Sequence, residues 1–290
     1  MRRVIIILFL VLSVSLQAQI VRTHPVYVVP SAAGAPAFCP EYQLVYNAMT
    51  TKPGSDTAWI QNDMVYSLDS AGYWDGFTDL LYVFATRAQQ GANLNWVDVT
   101  SFTLTDPGST APPFIKYQGY DPQNADYLAT GFIPSTSKIN IGQNSVTLGA
   151  WCLDEFGTGA SDRPIGAYDA VYYLTYYPWS AVPDLSGTIN RATASSFGNH
   201  GSAIGFTMVT RRGATDLTGY YNGGVVGLDN DASAGEVGHE FFVLAHNNDG
   251  TAANFCDARI ALIIVCKAVS DDDATKIYNI LHRYMTRIGL

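Results

Sequence analysis

The stretch G-Y-Y-N-G-G-V-V, residues 219–226, predicts a tight β-hairpin and, with it, the class of the fold. Asn222 and Gly223 can adopt the positive φ angles that a type I′ turn requires, while tyrosine and valine favour the flanking strands. Such a turn sets the register of the strands that it joins. We therefore interpret Asn222, Gly223 and Gly224 as a structural corner and not as a binding site.

The composition extends this prediction to the rest of the chain. Of the 290 residues, 14% are charged and 12% are aromatic, with 26 glycines and 18 tyrosines. Such a chain can build few helix-stabilising ion pairs but many short strands and turns, so we expect an all-β core. Strands are predicted over residues 80–85, 145–153, 165–177, 202–211, 218–221, 225–228, 236–246 and 259–266. Short strands at this spacing favour a β-sandwich or a jelly roll.

Residues 1–18 are predicted to be a secretory signal peptide. Arg2 and Arg3 precede an apolar run over residues 4–14, and the small-residue segment S-L-Q-A, residues 15–18, follows. About eleven apolar residues are too few to cross a ~30 Å hydrocarbon core as a helix, so an uncleaved anchor is the weaker alternative. We expect a secreted, periplasmic or cell-surface protein with no integral membrane span in the mature chain.

Three segments are predicted after the signal peptide. Residues 19–40 form an extended leader that is rich in Pro, Ala and Val. Residues 41–73 form a helical hairpin that packs on the main domain, with K-P-G-S at residues 52–55 as the break between its two helices. Residues 74–290 form the β domain, which ends in a helix that Ser270 and three following aspartates cap.

The charge of the chain argues against some partners. A formal net charge of −9 repels phosphate backbones and anionic lipid surfaces, and no basic stripe compensates for it. We therefore expect no nucleic acid partner and consider a glycan or a protein surface instead. A homo-oligomer stays open at this point.

The four cysteines allow two interpretations. Cys39, Cys152, Cys256 and Cys266 would all enter an oxidising compartment, where they are candidates for two disulfides in any of three pairings. The alternative is that they are small buried residues whose thiols stay reduced. Their spacing is not that of a metal site.

Four segments, taken in order, resemble laminin-G-like domains. Residues 114–131 resemble the early hairpin of these domains, and residues 144–151 resemble a strand that follows it. Residues 219–223 are similar to a later hairpin, and residues 259–278 to the closing strand and helix. The resemblance implies a concanavalin A-like jelly roll of the lectin and glucanase class, with two antiparallel sheets of about six strands each.

A second resemblance covers the regions around this domain. The helical hairpin, residues 82–85, Asn95-Trp96 and the tail at residues 284–289 are similar to phage and prophage structural proteins of gut Bacteroidetes. This resemblance implies a structural subunit of phage origin, associated with a virion.

Glycoside hydrolases share the jelly-roll fold, so paired carboxylates are candidate catalytic groups. Laminarinase-like enzymes carry Glu, Asp and Glu at alternate positions of one strand. Glu236 and Glu240 match the outer pair, but Gly238 stands where the middle Asp belongs. Because nothing then separates the two pKa values, we expect no catalysis. An exported glycosidase that uses Glu236 and Glu240 is the alternative.

Calcium is the one cofactor that the sequence suggests, and it is common in laminin-G-like folds. Asp229, Asp231 and Ser233 place oxygen atoms at positions 1, 3 and 5 of a calcium-loop pattern, and Glu240 falls at position 12. Position 6 is Ala234, whereas the pattern has glycine there. The alternative interpretation is an ordinary polar turn.

Residues 168–179 are the densest aromatic stretch and the predicted ligand-binding surface. If the stretch is one strand, alternation places Tyr168, Tyr172 and Tyr176 on one face, and Trp179 ends the stretch. An exposed set of tyrosines would offer rings for stacking and hydroxyls for hydrogen bonds. The alternative is that this set packs in the core.

These observations favour an exported, non-catalytic binding or structural protein that attaches to a glycan or a protein partner. The second resemblance adds a phage or prophage origin to this hypothesis. Two alternatives are kept. The first is an exported glycoside hydrolase of the same fold. The second is a virion or surface-assembly subunit without ligand affinity.

Overall fold

The computed structural model describes residues 37–107, 111–123, 125–157, 162–178 and 184–290. The signal peptide and almost all of the leader lie outside these residues, and so does Trp179. Five helices are found in the described residues: α1 (Pro40–Ala48), α2 (Ser55–Ser70), α3 (Gln89–Asn93), α4 (Pro134–Ser137) and α5 (Asp271–Ile288). None of the helices in these ranges is both long and apolar enough to cross a membrane.

The strands of the described residues form two sheets of eight strands each. In chain order they are β1 (Thr78–Val83), β2 (Phe114–Ile115), β3 (Gly119–Tyr120), β4 (Leu128–Ala129), β5 (Val146–Cys152), β6 (Ile165–Tyr168), β7 (Tyr173–Tyr177), β8 (Asp184–Arg191), β9 (Ser195–Asn199), β10 (Gly205–Gly213), β11 (Asp216–Tyr221), β12 (Gly224–Asp229), β13 (Phe242–Val243), β14 (His246–Asn248), β15 (Thr251–Ala253) and β16 (Ile260–Cys266).

The first sheet has the order β12-β11-β10-β5-β16-β3-β2, with β1 also paired to β16. Strands β1, β5 and β16 are buried on both faces, which explains why residues 80–85 and 260–266 are continuous apolar runs. In β1, Leu80 and Tyr82 face the second sheet, while Leu81 and Val83 face the helices.

The second sheet has the order β15-β14-β6-β7-β8-β9, with β13 bridging β6 and β4. Its pairings are antiparallel except for β14 with β6. One large apolar cluster fills the space between the two sheets. The predicted all-β jelly-roll sandwich of two antiparallel sheets is therefore confirmed, as are its N-terminal helices and its C-terminal helix.

The hairpin at residues 219–226 forms as predicted. Asn222 has φ 48° and Gly223 has φ 78°, and the turn joins β11 to β12. A side chain at Gly223 would meet the Cα atom of Thr275 at 3.1 Å, because the turn packs against α5. The corner therefore also docks the last helix.

Helices α1, α2 and α5 cover the outer face of the first sheet. They form a second apolar cluster with residues such as Leu81, Trp151 and Leu262. A buried polar contact ties the helices together, since Gln61 accepts a hydrogen bond of 2.7 Å from the Tyr42 hydroxyl. Ser270 caps α5 with a complete capping box, as the sequence predicted.

Two strand predictions were wrong. Residues 165–177 form two strands that a turn separates, and most of residues 236–246 is not strand; only β13 and the first residue of β14 fall within it.

All four cysteines are free. The thiols of Cys152, Cys256 and Cys266 are buried, and that of Cys39 is half-buried. The disulfide interpretation is thereby corrected in favour of buried, reduced thiols.

Candidate functional site

The outer face of the second sheet carries a row of half-buried tyrosines. Along β6 and β7, Ala167, Leu174 and Tyr176 point into the core between the sheets. Because successive residues of a strand point to opposite faces, Tyr168, Tyr173 and Tyr177 lie on the outer side. We call these three residues, together with Arg163 and His246, the tyrosine face.

Two of these tyrosines form a stacked pair. Tyr168 and Tyr173 face each other across the β6–β7 pairing, and their ring centroids lie 3.9 Å apart with an interplanar angle of 16°. Burial and the neighbouring Tyr168 raise the pKa of Tyr173. Both rings are half-buried, which leaves part of each accessible.

Arg163 holds the other end of the face. Its guanidinium lies over the ring of Tyr177, 4.5 Å from the centroid, and one terminal nitrogen donates to the Tyr177 hydroxyl at 2.6 Å. The other terminal nitrogen contacts Asn254 Oδ1 and His246 Nδ1, each at 2.6 Å. Arg163 is only 7% exposed, so this cation is part of the built structure.

His246 is buried beside this cation and stacks on Tyr173 with 5.7 Å between ring centroids. Burial and the positive charge of Arg163 lower the pKa of His246 to about 3, so the ring is neutral at ordinary pH. Arginine has no acceptor, so Nδ1 must accept its hydrogen bond and Nε2 must carry the ring proton. Within the described residues, that Nε2 and the Nε of Arg163 are buried donors without a partner.

A turn of the chain corrects the predicted ligand set, which was Tyr168, Tyr172, Tyr176 and Trp179. Asp169 accepts hydrogen bonds from the backbone of Val171 and Tyr172, and it closes a turn between β6 and β7. Tyr176 therefore lies fully buried in the core, and Tyr172 packs against the core from the turn. Of the predicted set, Tyr168 alone lies on the tyrosine face, and Trp179 lies outside the described residues.

Glu236 and Glu240 do not form a catalytic pair on one strand. Glu236 makes a salt bridge with Lys138. Glu240 accepts a hydrogen bond of 2.6 Å from the backbone N–H of Gly131. The alternation argument required an extended strand, and this segment is irregular. Both carboxylates instead tie the segment to the loop that precedes β5.

The side chains of the predicted calcium loop also have other partners. Asp229 and Asp231 face the guanidinium of Arg191, with 4.0 Å between Asp229 Oδ2 and the nearest nitrogen. Ser233 donates to Asn144 Oδ1 at 2.6 Å, and Glu240 is engaged as described above. Among the described residues, no cluster of three or more acidic, histidine or cysteine side chains could hold a metal ion. The structure thus favours the ordinary polar turn.

A pair of carboxyl groups that the sequence did not single out lies next in sequence to Arg163. Burial and a hydrogen bond to Asp257 raise the pKa of Asp162 to about 7. Below that pH the carboxyl of Asp162 keeps its proton, which it can donate to Asp257. Their hydrogen-bonded contact is shorter than the separation of roughly 5 Å or more that glycoside hydrolysis requires between its two carboxyl groups. The geometry of this pair is therefore not that of the two carboxyl groups of a glycoside hydrolase.

No protein-family model matches this chain. No curated protein matches it significantly either. Solved structures with a similar fold do exist.

One similar structure is the carbohydrate-binding module 40 of the IT-sialidase of Ruminococcus gnavus, bound to α2,3-sialyllactose. It has a TM-score of 0.38 and 11% identity, over 46% of this chain and 80% of that one. Another is domain 4 of AbnA, an extracellular arabinanase from Geobacillus stearothermophilus, in complex with arabinotriose. It has a TM-score of 0.42 and 12% identity, over 69% of this chain and 97% of that one.

A sialidase mutant from Trypanosoma rangeli has a TM-score of 0.47 and 8% identity. It is matched over 78% of this chain and only 39% of its own length. At these TM-scores the similarities identify neither a family nor a ligand for this chain.

Proposed function

We propose that this chain is an exported, non-catalytic protein that binds glycans on the outer face of its second sheet. The observation that carries the proposal is the tyrosine face, where Tyr168 and Tyr173 stack and Tyr177 lies beside a buried guanidinium. The export part of the proposal rests on the signal-peptide pattern of residues 1–18.

The chemistry of the face suits a sugar. A sugar ring has an apolar side of C–H groups, which can pack on an aromatic ring, and hydroxyl groups that need hydrogen-bond partners around its edge. Tyr168, Tyr173 and Tyr177 offer both, because their rings are held in place by stacking and their hydroxyls lie at the ring ends. Rings fixed in this way lose little conformational entropy when a ligand binds.

Two observations argue against a hydrolase. Glu236 and Glu240 are engaged by Lys138 and by the backbone of Gly131. The hydrogen-bonded pair Asp162 and Asp257 leaves no room for a sugar bond between its two carboxyl groups. A binding protein needs neither pair. The phage or prophage origin suggested by the sequence is compatible with such a role, as glycan attachment requires no catalysis.

The test is a glycan array followed by calorimetric titration of the best ligand. Replacing the central ring, Tyr173→Ala, is expected to weaken binding by about tenfold or more. The matched control is Tyr66→Ala, which removes a 54% exposed tyrosine from α2 on the other side of the molecule and should leave binding unchanged.

Two outcomes would contradict the proposal. Equal binding by wild type and Tyr173→Ala would place the ligand elsewhere. Failure of the folded wild-type chain to bind any glycan on a broad array would favour the alternative, a virion or surface-assembly subunit without ligand affinity.

A further inference from the structure

The guanidinium of Arg163 is a buried cation without a counter-ion. All 25 aspartates and glutamates of the chain fall within the described residues, and none of them forms a salt bridge with Arg163. Its terminal nitrogens instead contact three neutral acceptors, which belong to Tyr177, His246 and Asn254. Its Nε–H is buried and has no partner among the described residues.

The neighbouring carboxyl groups do not neutralise this charge. A guanidinium that stabilised Asp162 would lower the pKa of that carboxyl, whereas burial and the hydrogen bond to Asp257 raise it. Asp257 is engaged by Asp162 and by the backbone N–H of Gly157. The two carboxyl groups are therefore bonded to each other and to the backbone, and Arg163 has no ion-pair partner among the described residues.

His246 cannot supply the missing charge either. Its ring is neutral and already accepts from Arg163 at Nδ1, so Nε2 is a second buried donor with no partner in the described ranges. The base of the tyrosine face thus holds one full positive charge and two unused N–H donors. A buried charge without a partner costs stability, and a bound anion would offset part of that cost.

We propose that the glycan recognised by the tyrosine face is anionic, with a carboxylate or sulfate group that lies at the Tyr177 end above Arg163. This inference rests on the proposed glycan binding and adds the class of ligand. The stacked rings of Tyr168 and Tyr173 would take the sugar ring. The positive charge held under Tyr177 would select the acidic substituent, since Coulombic attraction in a partly desolvated site is stronger than in water.

The overall charge of the protein strengthens this selection. With a net charge of −9, most of the surface repels anionic chains, so an acidic glycan is attracted only where a local positive charge is exposed or lightly covered. A non-specific polyanion interaction is thereby disfavoured, and binding should depend on the position of one residue.

The experiment compares ligands that share a backbone and differ in charge. Calorimetric titration of the full chain would use oligogalacturonate, its methyl ester, which removes the carboxylate charge, and a sulfated galactan oligosaccharide beside the unsulfated one. We expect the acidic member of at least one pair to bind about tenfold more tightly than its neutral partner, and that preference to shrink when NaCl is raised from 50 to 500 mM. Which pair responds distinguishes carboxylate from sulfate.

Two variants tie the preference to Arg163. Arg163→Gln removes the charge and is expected to abolish the preference, while Arg163→Lys keeps the charge and should retain most of it. Circular dichroism checks that each variant is folded; if Arg163→Gln does not fold, the charge-matched ligands and the salt series still test the inference on the wild-type chain.

The failure of this inference is distinguishable from failure of the proposed function. Equal binding of neutral and acidic partners, lost in Tyr173→Ala, would overturn the anionic preference and leave glycan binding intact. Absence of binding to every ligand and to the whole array would overturn both. An acidic preference that Arg163→Gln retains would assign the charge recognition to another residue and so overturn the role of Arg163.

Discussion

The outer faces of the two sheets differ in chemistry and in what covers them. The first sheet presents Leu81, Phe206 and Leu262, which are buried beneath α1, α2 and α5. The second sheet presents Tyr168, Tyr173 and Tyr177, which stay half-buried. Both sheets share the same inner core, so the difference lies in the outward positions alone. One face contributes stability through burial, and the other keeps three aromatic rings partly exposed.

The largest effect is expected on the covered face. Leu281 is fully buried on α5, so Leu281→Ala should lower the free energy of unfolding by about 2–5 kcal/mol, because it removes apolar contacts and leaves a cavity. Urea denaturation measures this loss of stability, and Asn279→Ala at an exposed position of the same helix is the control. Loss of the proposed glycan binding in folded Leu281→Ala would contradict the separation of roles between the two faces.

The next largest effect on stability is expected on the outer face of the second sheet, which we call the open face. A Cβ atom at Gly166 would lie 2.2 Å from the Thr175 hydroxyl on the neighbouring strand. Gly166→Ala should therefore cost about 1–3 kcal/mol through strain. In the control, Gly142→Ala, the nearest atom is 4.0 Å away, so thermal melts should show little change. Equal melting temperatures for the two variants would show that the open face is loosely packed.

Titration distinguishes two buried groups, His246 of the tyrosine face and Asp162, which is next in sequence to Arg163. Since the pKa of His246 is about 3 in the folded chain against 6.5 ordinarily, the unfolded chain binds more protons between these values, and stability rises with pH there. The pKa of Asp162 is about 7 against 3.8, so its contribution falls as pH rises from 3.8 to 7. The two slopes oppose each other between about pH 4 and 6.5.

Single variants should reveal each slope. Asp162→Asn should make the dependence of unfolding free energy on pH more positive than in wild type, and His246→Gln should make it more negative, each by at most about 1.4 kcal/mol per pH unit. Urea denaturation between pH 4 and 6.5 measures both. Parallel pH profiles for wild type and both variants would mean that these groups titrate normally.

The smallest effect is expected at the cap of α5, which covers the first face. Ser270 accepts from the backbone of Asp273, and Ser270→Ala should cost about 1 kcal/mol by leaving that N–H without its partner. Ser270→Asp keeps an accepting oxygen and serves as the control. A thermal melt of Ser270→Ala that matches wild type would show that the cap contributes nothing measurable.

Local signals predicted much of the fold. The turn at Asn222 and Gly223, the buried strand β1 and the capped helix α5 follow from preferences that neighbouring residues express by themselves. Strand β8 was not predicted because it has few apolar residues. The strand predicted at residues 236–246 does not form, and this segment instead makes contacts with distant loops. Hydrophobic alternation identifies strands but does not show where a turn interrupts them.

The sequence by itself determined the class of fold, the hairpin at residues 219–226 and the presence of an aromatic stretch near residue 168. Only the tertiary structure decided which tyrosines face outward, because the turn after Asp169 changes the strand on which each one lies. It also brought Arg163 to Tyr177, His246 and Asn254, the last two more than 80 residues further along the chain. Such a site depends on pairings between distant strands, which no local preference of the chain encodes.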